Sequence, residues 1–243
     1  MANARAVKRF YKQATTSHRD GGGAGAGREI LLDGRPVRTP GREPLAVPTL
    51  ALAEAIADEW NAQGDKVEPR SMPLTGLANA AIDRVAPDPP AFARTLADYA
   101  DSDLLCYRAE GPAPLVARQA EHWDPLLAWA RRRFDVDFEI VVSIMHRPQS
   151  PVALERLGRA VTVRTPFELA ALSPLVTISG SLIVALALAE QAIGLDAAWA
   201  AATVDEAWQA EQWGEDAEAS AALEARRKDF AAAARLLDLL REP

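Results

Sequence analysis

Two patterns of apolar spacing divide the chain. Short alternating runs fill its first third, and four-residue spacing dominates afterwards. Residues 9–16 read as a strand. Glu29-Ile30-Leu31-Leu32 follows a glycine-rich stretch and runs into Asp33-Gly34. That pair is a strong hairpin signal, because both turn positions must take positive φ and Gly does so freely. Residues 37–39 and 45–47 read as further short strands. Pro36, Pro40, Pro44 and Pro48 confine them to edges and ends. Thr49 is a good N-cap, and Leu52, Ile56 and Trp60 then recur every four residues, so one helix face is apolar. Gly64 offers a stop.

From Met72 the pattern predicts helix after helix. Leu74, Leu77, Ala78, Ala81, Ile82 and Val85 form one stripe, ended by Pro87, Pro89 and Pro90. Phe92, Leu96 and Tyr99 mark a second helix. Leu115, Gln119, Trp123, Leu126, Leu127, Ala130 and Phe134 mark a longer one that contains Pro125. Val136, Phe138, Ile140 and Val142 alternate as in a strand. Thr165-Pro166-Phe167-Glu168 and Thr203-Val204-Asp205-Glu206 carry capping-box patterns, and Gly214 can end the helix after the second. Leu182 to Ala189 is uncharged and apolar, yet far shorter than the ~20 residues a membrane span needs, so it reads as a buried helix. The expected fold is α+β, a small β-rich N-terminal domain with one helix over residues 1–71 and a larger all-helical domain over 72–243.

With 243 residues, 49% of them hydrophobic, the chain can bury a real core without a metal or disulfide staple. Its net charge of −7 gives it no electrostatic reason to seek nucleic acid or an anionic membrane. Cys106 is the single cysteine, which excludes an intrachain disulfide and fits a reducing compartment. The N-terminus has basic residues but neither an apolar signal core nor a long Arg/Ser-rich presequence. Bacterial cytoplasm is the expected location, or the mitochondrial matrix for a processed eukaryotic chain.

Catalytic constellations are scarce. Gly21 to Gly27 invites a phosphate-loop reading, but Arg28-Glu29 stands where Lys and Ser/Thr would be needed, and a strand rather than a helix follows. A flexible hairpin loop fits better. His18, His122 and His146 form no ligand pair at helical spacing, so no metal site is expected. Ser179-Gly180-Ser181 lacks the nucleophile-elbow pattern, and its small residues would instead let two helices approach closely. Asp101, Asp103, Glu206 and Glu211 fit a solvated helical face.

Several segments together resemble one family. They are Lys8-Arg9-Phe10-Tyr11-Lys12, Leu32 to Pro40, Glu59-Trp60-Asn61-Ala62-Gln63 and Met72-Pro73-Leu74-Thr75. Further on come Ala81-Ile82-Asp83, Asp103-Leu104-Leu105 with Tyr107-Arg108, Trp123-Asp124-Pro125-Leu126, Gly180-Ser181-Leu182 and Gln209 to Asp216. Their order and spacing resemble the ATP synthase assembly factors that chaperone the alpha subunit of the F-type catalytic head. The resemblance runs from about residue 8 to 240. It is loose between Phe134 and Arg164, and Trp208 stands where another aromatic is usual. It implies a β-domain joined to a helical domain, no nucleotide hydrolysis, no cofactor, no small-molecule substrate and no membrane insertion. The implied partner is the unassembled alpha subunit, held until the beta subunit replaces it. A small hydrolase using the glycine-rich loop and a generic protein-binding scaffold are the competing classes.

Trp60, Asp33 and Gly34 read as structural, the first as core packing and the others as the turn. Glu206, Gln209 and Trp213 fall at i, i+3 and i+7 and share one helical face. With Glu211 and Asp216 they form a candidate partner-binding cluster, polar groups flanking an exposed aromatic. A capping box plus a solvated face is the other reading of the same residues.

Overall fold

The computed structural model describes residues 7–19, 27–142, 145–214 and 216–241. The architecture is α+β, a small antiparallel sheet near the N-terminus followed by a helical region. The chain forms two compact units. Unit 1 is Met1–Asp88 with Pro166–Ala170 and Arg235–Pro243, and unit 2 is Pro89–Thr165 with Ala171–Ala234.

Unit 1 is built around hairpins. Strand β1 (Val7–Lys8) is followed by β2 (Ala14–Arg19) and β3 (Gly27–Leu32), which pair antiparallel from Ala14 opposite Leu32 to Arg19 opposite Gly27. The expected strand over 9–16 therefore starts later, and the chain before it is held by side chains. The glycine-rich stretch joins two paired strands, with His18 and Gly27 inside them, while residues 20–26 lie outside the described residues. Asp33 (φ 48°) and Gly34 (φ 80°) make the two-residue turn into β4 (Arg35–Pro36). Two successive left-handed residues match the twist of a hairpin. The Asp33 carboxylate also accepts from the Lys12 and Gln13 N–H groups, which holds its pKa below the usual value. β5 (Ala46–Val47) pairs with the other end of β3.

Helix α1 (Leu50–Asn61) covers the β2–β3 hairpin, with Leu52 and Ile56 fully buried and Thr49 capping Leu52 N–H at 3.3 Å. It ends at Asn61, before Gly64, because the residues after Trp60 turn to side-chain work. Asn61 bonds both the N–H and the carbonyl of Ala14, at 2.8 and 3.0 Å. Gln63, itself buried, accepts from Glu68 N–H at 2.7 Å and donates to Glu59 O and Ser71 Oγ. Trp60 packs on a cluster that includes Tyr11, Leu32, Val67 and Met72, with its ring 5.6 Å from that of Tyr11. β6 (Lys66–Val67) pairs with β1, and α2 (Pro73–Ala80) follows. Met72 supplies no cap to α2. The Glu59 carboxylate does so instead, accepting from Leu74 N–H, Thr75 N–H and Thr75 Oγ at 2.7–2.8 Å. Burial raises the Glu59 pKa despite those bonds. A π-helical turn, Ala81–Val85, extends α2, and its Asp83 accepts from Thr39 Oγ (2.6 Å) and Gly41 N–H (2.8 Å).

Unit 2 is helical. α3 (Pro89–Ala97) leads into 3-10 turns over 98–106, then α4 (Ala113–Phe134) runs continuously through Pro125. After α4 come α5 (Pro151–Thr162), α6 (Pro166–Ser179), α7 (Leu182–Ala189), α8 (Leu195–Ala202), α9 (Val204–Trp213) and α10 (Ala217–Leu239), the first five residues of α6 and the last turn of α10 belonging to unit 1. α7 is buried along its whole length and packs with α4 and α8. Trp123 is fully buried, and its indole N–H donates to Ala201 O at 2.8 Å. Among the described residues no helix is long and apolar enough to cross a membrane.

Three expectations change here. Residues 136–142 form no strand. Asp135 ends α4 in the left-handed region, only Val141 bridges to Tyr107, and the Gln149 side chain takes both main-chain groups of Glu139. Asp103 is no solvated residue but fully buried. It accepts from Leu105 N–H, Ser181 Oγ and Ile183 N–H at 2.7–3.1 Å, fixing the start of α7. Desolvation outweighs those bonds and lifts its pKa to about 6. Ser179-Gly180-Ser181 serves the same junction, as a turn in which Gly180 has φ 67° and Ser181 caps Val184 N–H.

Candidate partner-binding groove

The α9 helix owes its position to buried amide chemistry. Gln119, on the apolar stripe of α4, is 2% exposed. Its Nε2 donates to Asp205 Oδ1 at 2.8 Å, and its Oε1 accepts from Ala109 N–H at 2.9 Å. One side chain thus ties the 107–112 segment and the first turn of α9 to the same point of α4. Thr203 makes no capping box. Its hydroxyl donates backwards to Trp199 O at 2.8 Å, and the acceptor it would have offered to α9 is turned away. Gly214 (φ 87°) ends α9 directly after Trp213, as the sequence predicts.

Between α9, the start of α4 and residues 107–112 lies an open groove of about 1090 Å³. Leu115, Trp208 and Trp213 give it apolar surface, and Glu110, Asp205, Gln209 and Gln212 give it polar walls. Trp213 is 78% exposed at its end. Arg108 is not free to neutralise those walls. Its guanidinium donates to Asp124 (2.6 Å) and Leu105 O and lies 5.1 Å from the Trp123 ring centre. Arg118 grips Glu211 with two bonds of 2.7 and 2.9 Å and lies 5.3 Å from the ring centre of Trp208. The pair lowers the Glu211 pKa and raises that of Arg118.

The five residues singled out from sequence divide accordingly. Gln209 and Trp213 line the groove. Glu211 is exposed but engaged by Arg118. Glu206 faces Arg226 of α10 at 3.4 Å. Asp216 caps α10 by accepting from Ala219 N–H at 2.8 Å. Sequence reasoning missed Gln119, Trp208 and Arg118. For Gln119 a signal existed, an amide sitting in register on an otherwise apolar stripe. Arg118 is the neighbour of that residue and gave none. Among the described residues no group of three or more His, Cys, Asp or Glu could hold a metal ion.

The helical unit presents an open groove lined by aromatics and carboxylates, and the chain's relatives are chaperones. The chain belongs to the ATP12 chaperone family, whose model, described as ATP12 chaperone protein, matches residues 8–131. The crystal structure of Atp12 from Paracoccus denitrificans superposes with a TM-score of 0.90 at 43% identity, covering 97% of this chain and 99% of that one. A mutant of the same protein matches at 42% identity and a TM-score of 0.90, covering 97% and 98%. A structure from Agrobacterium tumefaciens gives 0.91 at 44% identity, covering 96% of this chain and 86% of its own.

Proposed function

We propose that this chaperone binds the unassembled alpha subunit of the F-type ATP synthase, covers its exposed interface against aggregation, and releases it to the beta subunit. Family membership supports the class of activity, and the groove beneath α9 is the observation that supports the mode. An unassembled subunit exposes apolar surface that aggregates unless covered. A holder must also let go, so its contact surface has to mix apolar anchors with hydrated polar groups. Trp208, Trp213 and Leu115 supply the anchors. Gln209, Gln212, Asp205 and Glu110 supply the polar walls. Gln209, Trp213 and the outer groups Glu206, Glu211 and Asp216 form the proposed contact set. The work is done in the bacterial cytoplasm, without a cofactor and without ATP hydrolysis by the chaperone.

The test is capture. Tagged chain and alpha subunit are expressed together and the tagged protein is recovered. The alpha subunit should co-elute with wild type and be depleted with Trp213→Ser. Recovery of wild-type chain without alpha subunit would reject the proposal.

A further inference from the structure

Phe10 is 70% exposed, while its neighbour Tyr11 is 6% exposed. A lone apolar side chain on a surface is ordinary. What distinguishes this one is how firmly the chain around it is held. The Arg9 guanidinium donates to four main-chain carbonyls, those of Tyr11, Lys12, Asn61 and Gln63. Arg9 N–H donates to Asp65 O at 2.9 Å. The Tyr11 hydroxyl donates to Trp60 O at 2.6 Å, and the Asp33 carboxylate takes the N–H groups of Lys12 and Gln13. The segment on either side is therefore fixed to unit 1, and the Phe10 ring meets the Tyr11 ring edge-on at 5.5 Å. A rigid backbone presenting an aromatic ring to water has already met much of the ordering cost of binding.

Charge supplies the second observation. Lys8 stands directly opposite Lys66 across the β1–β6 pair, so both side chains leave the same face. Like charges at facing positions of a strand pair oppose pairing. Lys12, two residues after Phe10 in the chain, is exposed as well. Among the described residues none of the three lysine ammonium groups lies within 4 Å of a carboxylate, although the Lys12 charge acts on the Asp33 carboxylate that takes its N–H. In a chain of net charge −7, a firmly held exposed aromatic thus sits two residues from Lys8 and two from Lys12, with Lys66 paired to Lys8.

We propose that Phe10, with Lys8, Lys12 and Lys66, is a second anchor for the client, seating in an apolar socket rimmed by carboxylates. This rests on the proposed function and adds to it a contact in unit 1, separate from the groove of unit 2. The aromatic supplies a buried hot spot, and the lysines steer its approach to an acidic rim.

The test measures the affinity of purified alpha subunit for wild type, for Phe10→Ser and for the double variant Lys8→Glu/Lys66→Glu, at two salt concentrations. All substituted side chains are exposed, so melting should be unchanged. Phe10→Ser should weaken binding about tenfold, the loss typical of an interface anchor. The double variant should bind more slowly and lose salt dependence. Wild-type affinity in both variants would overturn the second anchor while leaving the proposed function standing. No binding by wild type would overturn both. A wild-type dimer that Phe10→Ser converts to monomer would give the knob to a second copy of the chain and overturn the client assignment.

Discussion

Among the described residues Asp103 is the one fully buried carboxyl whose pKa has moved far, and replacing it by Asn gives a signed prediction. In the unfolded chain it titrates near 3.8, and in the native state near 6. A carboxyl with a raised native pKa holds its proton more tightly when folded. Its contribution to stability is complete below 3.8 and is lost as the pH rises through about 6. The rise corresponds to about 3 kcal/mol, at ~1.4 kcal/mol for each pH unit between the two values. Other groups titrate too, and in different directions. Asp33 and Glu211 have lowered pKa values and favour folding at higher pH, whereas Glu59 is raised. The informative quantity is therefore the difference between wild type and Asp103→Asn. The amide cannot accept at both oxygen positions, so one of the Leu105, Ser181 and Ile183 donors loses its acceptor, costing about 1–3 kcal/mol. That cost is independent of pH. Urea unfolding from pH 4 to pH 7 should show wild type exceeding the variant most at the acid end, with the gap shrinking by about 2 kcal/mol toward neutrality. Parallel stability curves would refute the assignment of a desolvated, late-titrating carboxyl to this site.

Three further outcomes follow from unit 1 and from the glycine-rich hairpin. Trp60→Arg should lower the melting temperature and soluble yield, at a cost of ~3 kcal/mol or more, because a cation replaces an indole packed on Tyr11, Leu32 and Met72; unchanged melting with lost client binding would make Trp60 a contact instead. Gly41→Ala should destabilise by about 1–3 kcal/mol in thermal denaturation, since its Cβ would lie 2.6 Å from the Asp83 oxygen that holds the 39–41 turn; wild-type melting would show that this turn yields freely. Titration with Mg-ATP in a calorimeter should give no heat, because β3 rather than a helix N-terminus follows the glycines; micromolar affinity would revive the hydrolase reading.

The layout of elements was legible where local chemistry is self-sufficient. Asp33-Gly34 needs only its own φ values to form a turn, Thr49 only the next turn of helix, and Leu52 and Ile56 only their spacing. What escaped the sequence is satisfied at a distance. Asp103 reads as a surface acid until Ser181 and Ile183 are brought to it from the far end of the chain. Glu59 caps a helix that begins at Pro73, so the Glu-Trp-Asn-x-Gln segment is a set of structural ties rather than a surface motif. Residues 136–142 alternate as strands do, but only Val141 finds a neighbouring chain, at residues 106–108, and a glutamine side chain takes the main-chain groups of Glu139. The groove was half legible. Trp213 and Gln209 could be found from helical spacing, whereas Trp208 gains its place from Arg118 on another helix, a pairing that no local pattern encodes.

The most direct test of the central claim is aggregation of the client. Alpha subunit diluted from denaturant is followed by light scattering with equimolar wild-type chain, with Glu211→Lys, or with an unrelated acidic protein. Reversing Glu211 sets a lysine against Arg118, freeing the cation that rests on Trp208 and disordering the groove edge without touching the core. Wild type should suppress scattering, and beta subunit added afterwards should displace it from alpha. Glu211→Lys should protect less while melting as wild type does. Scattering undiminished by wild type, or diminished no more than by the unrelated protein, would contradict the account.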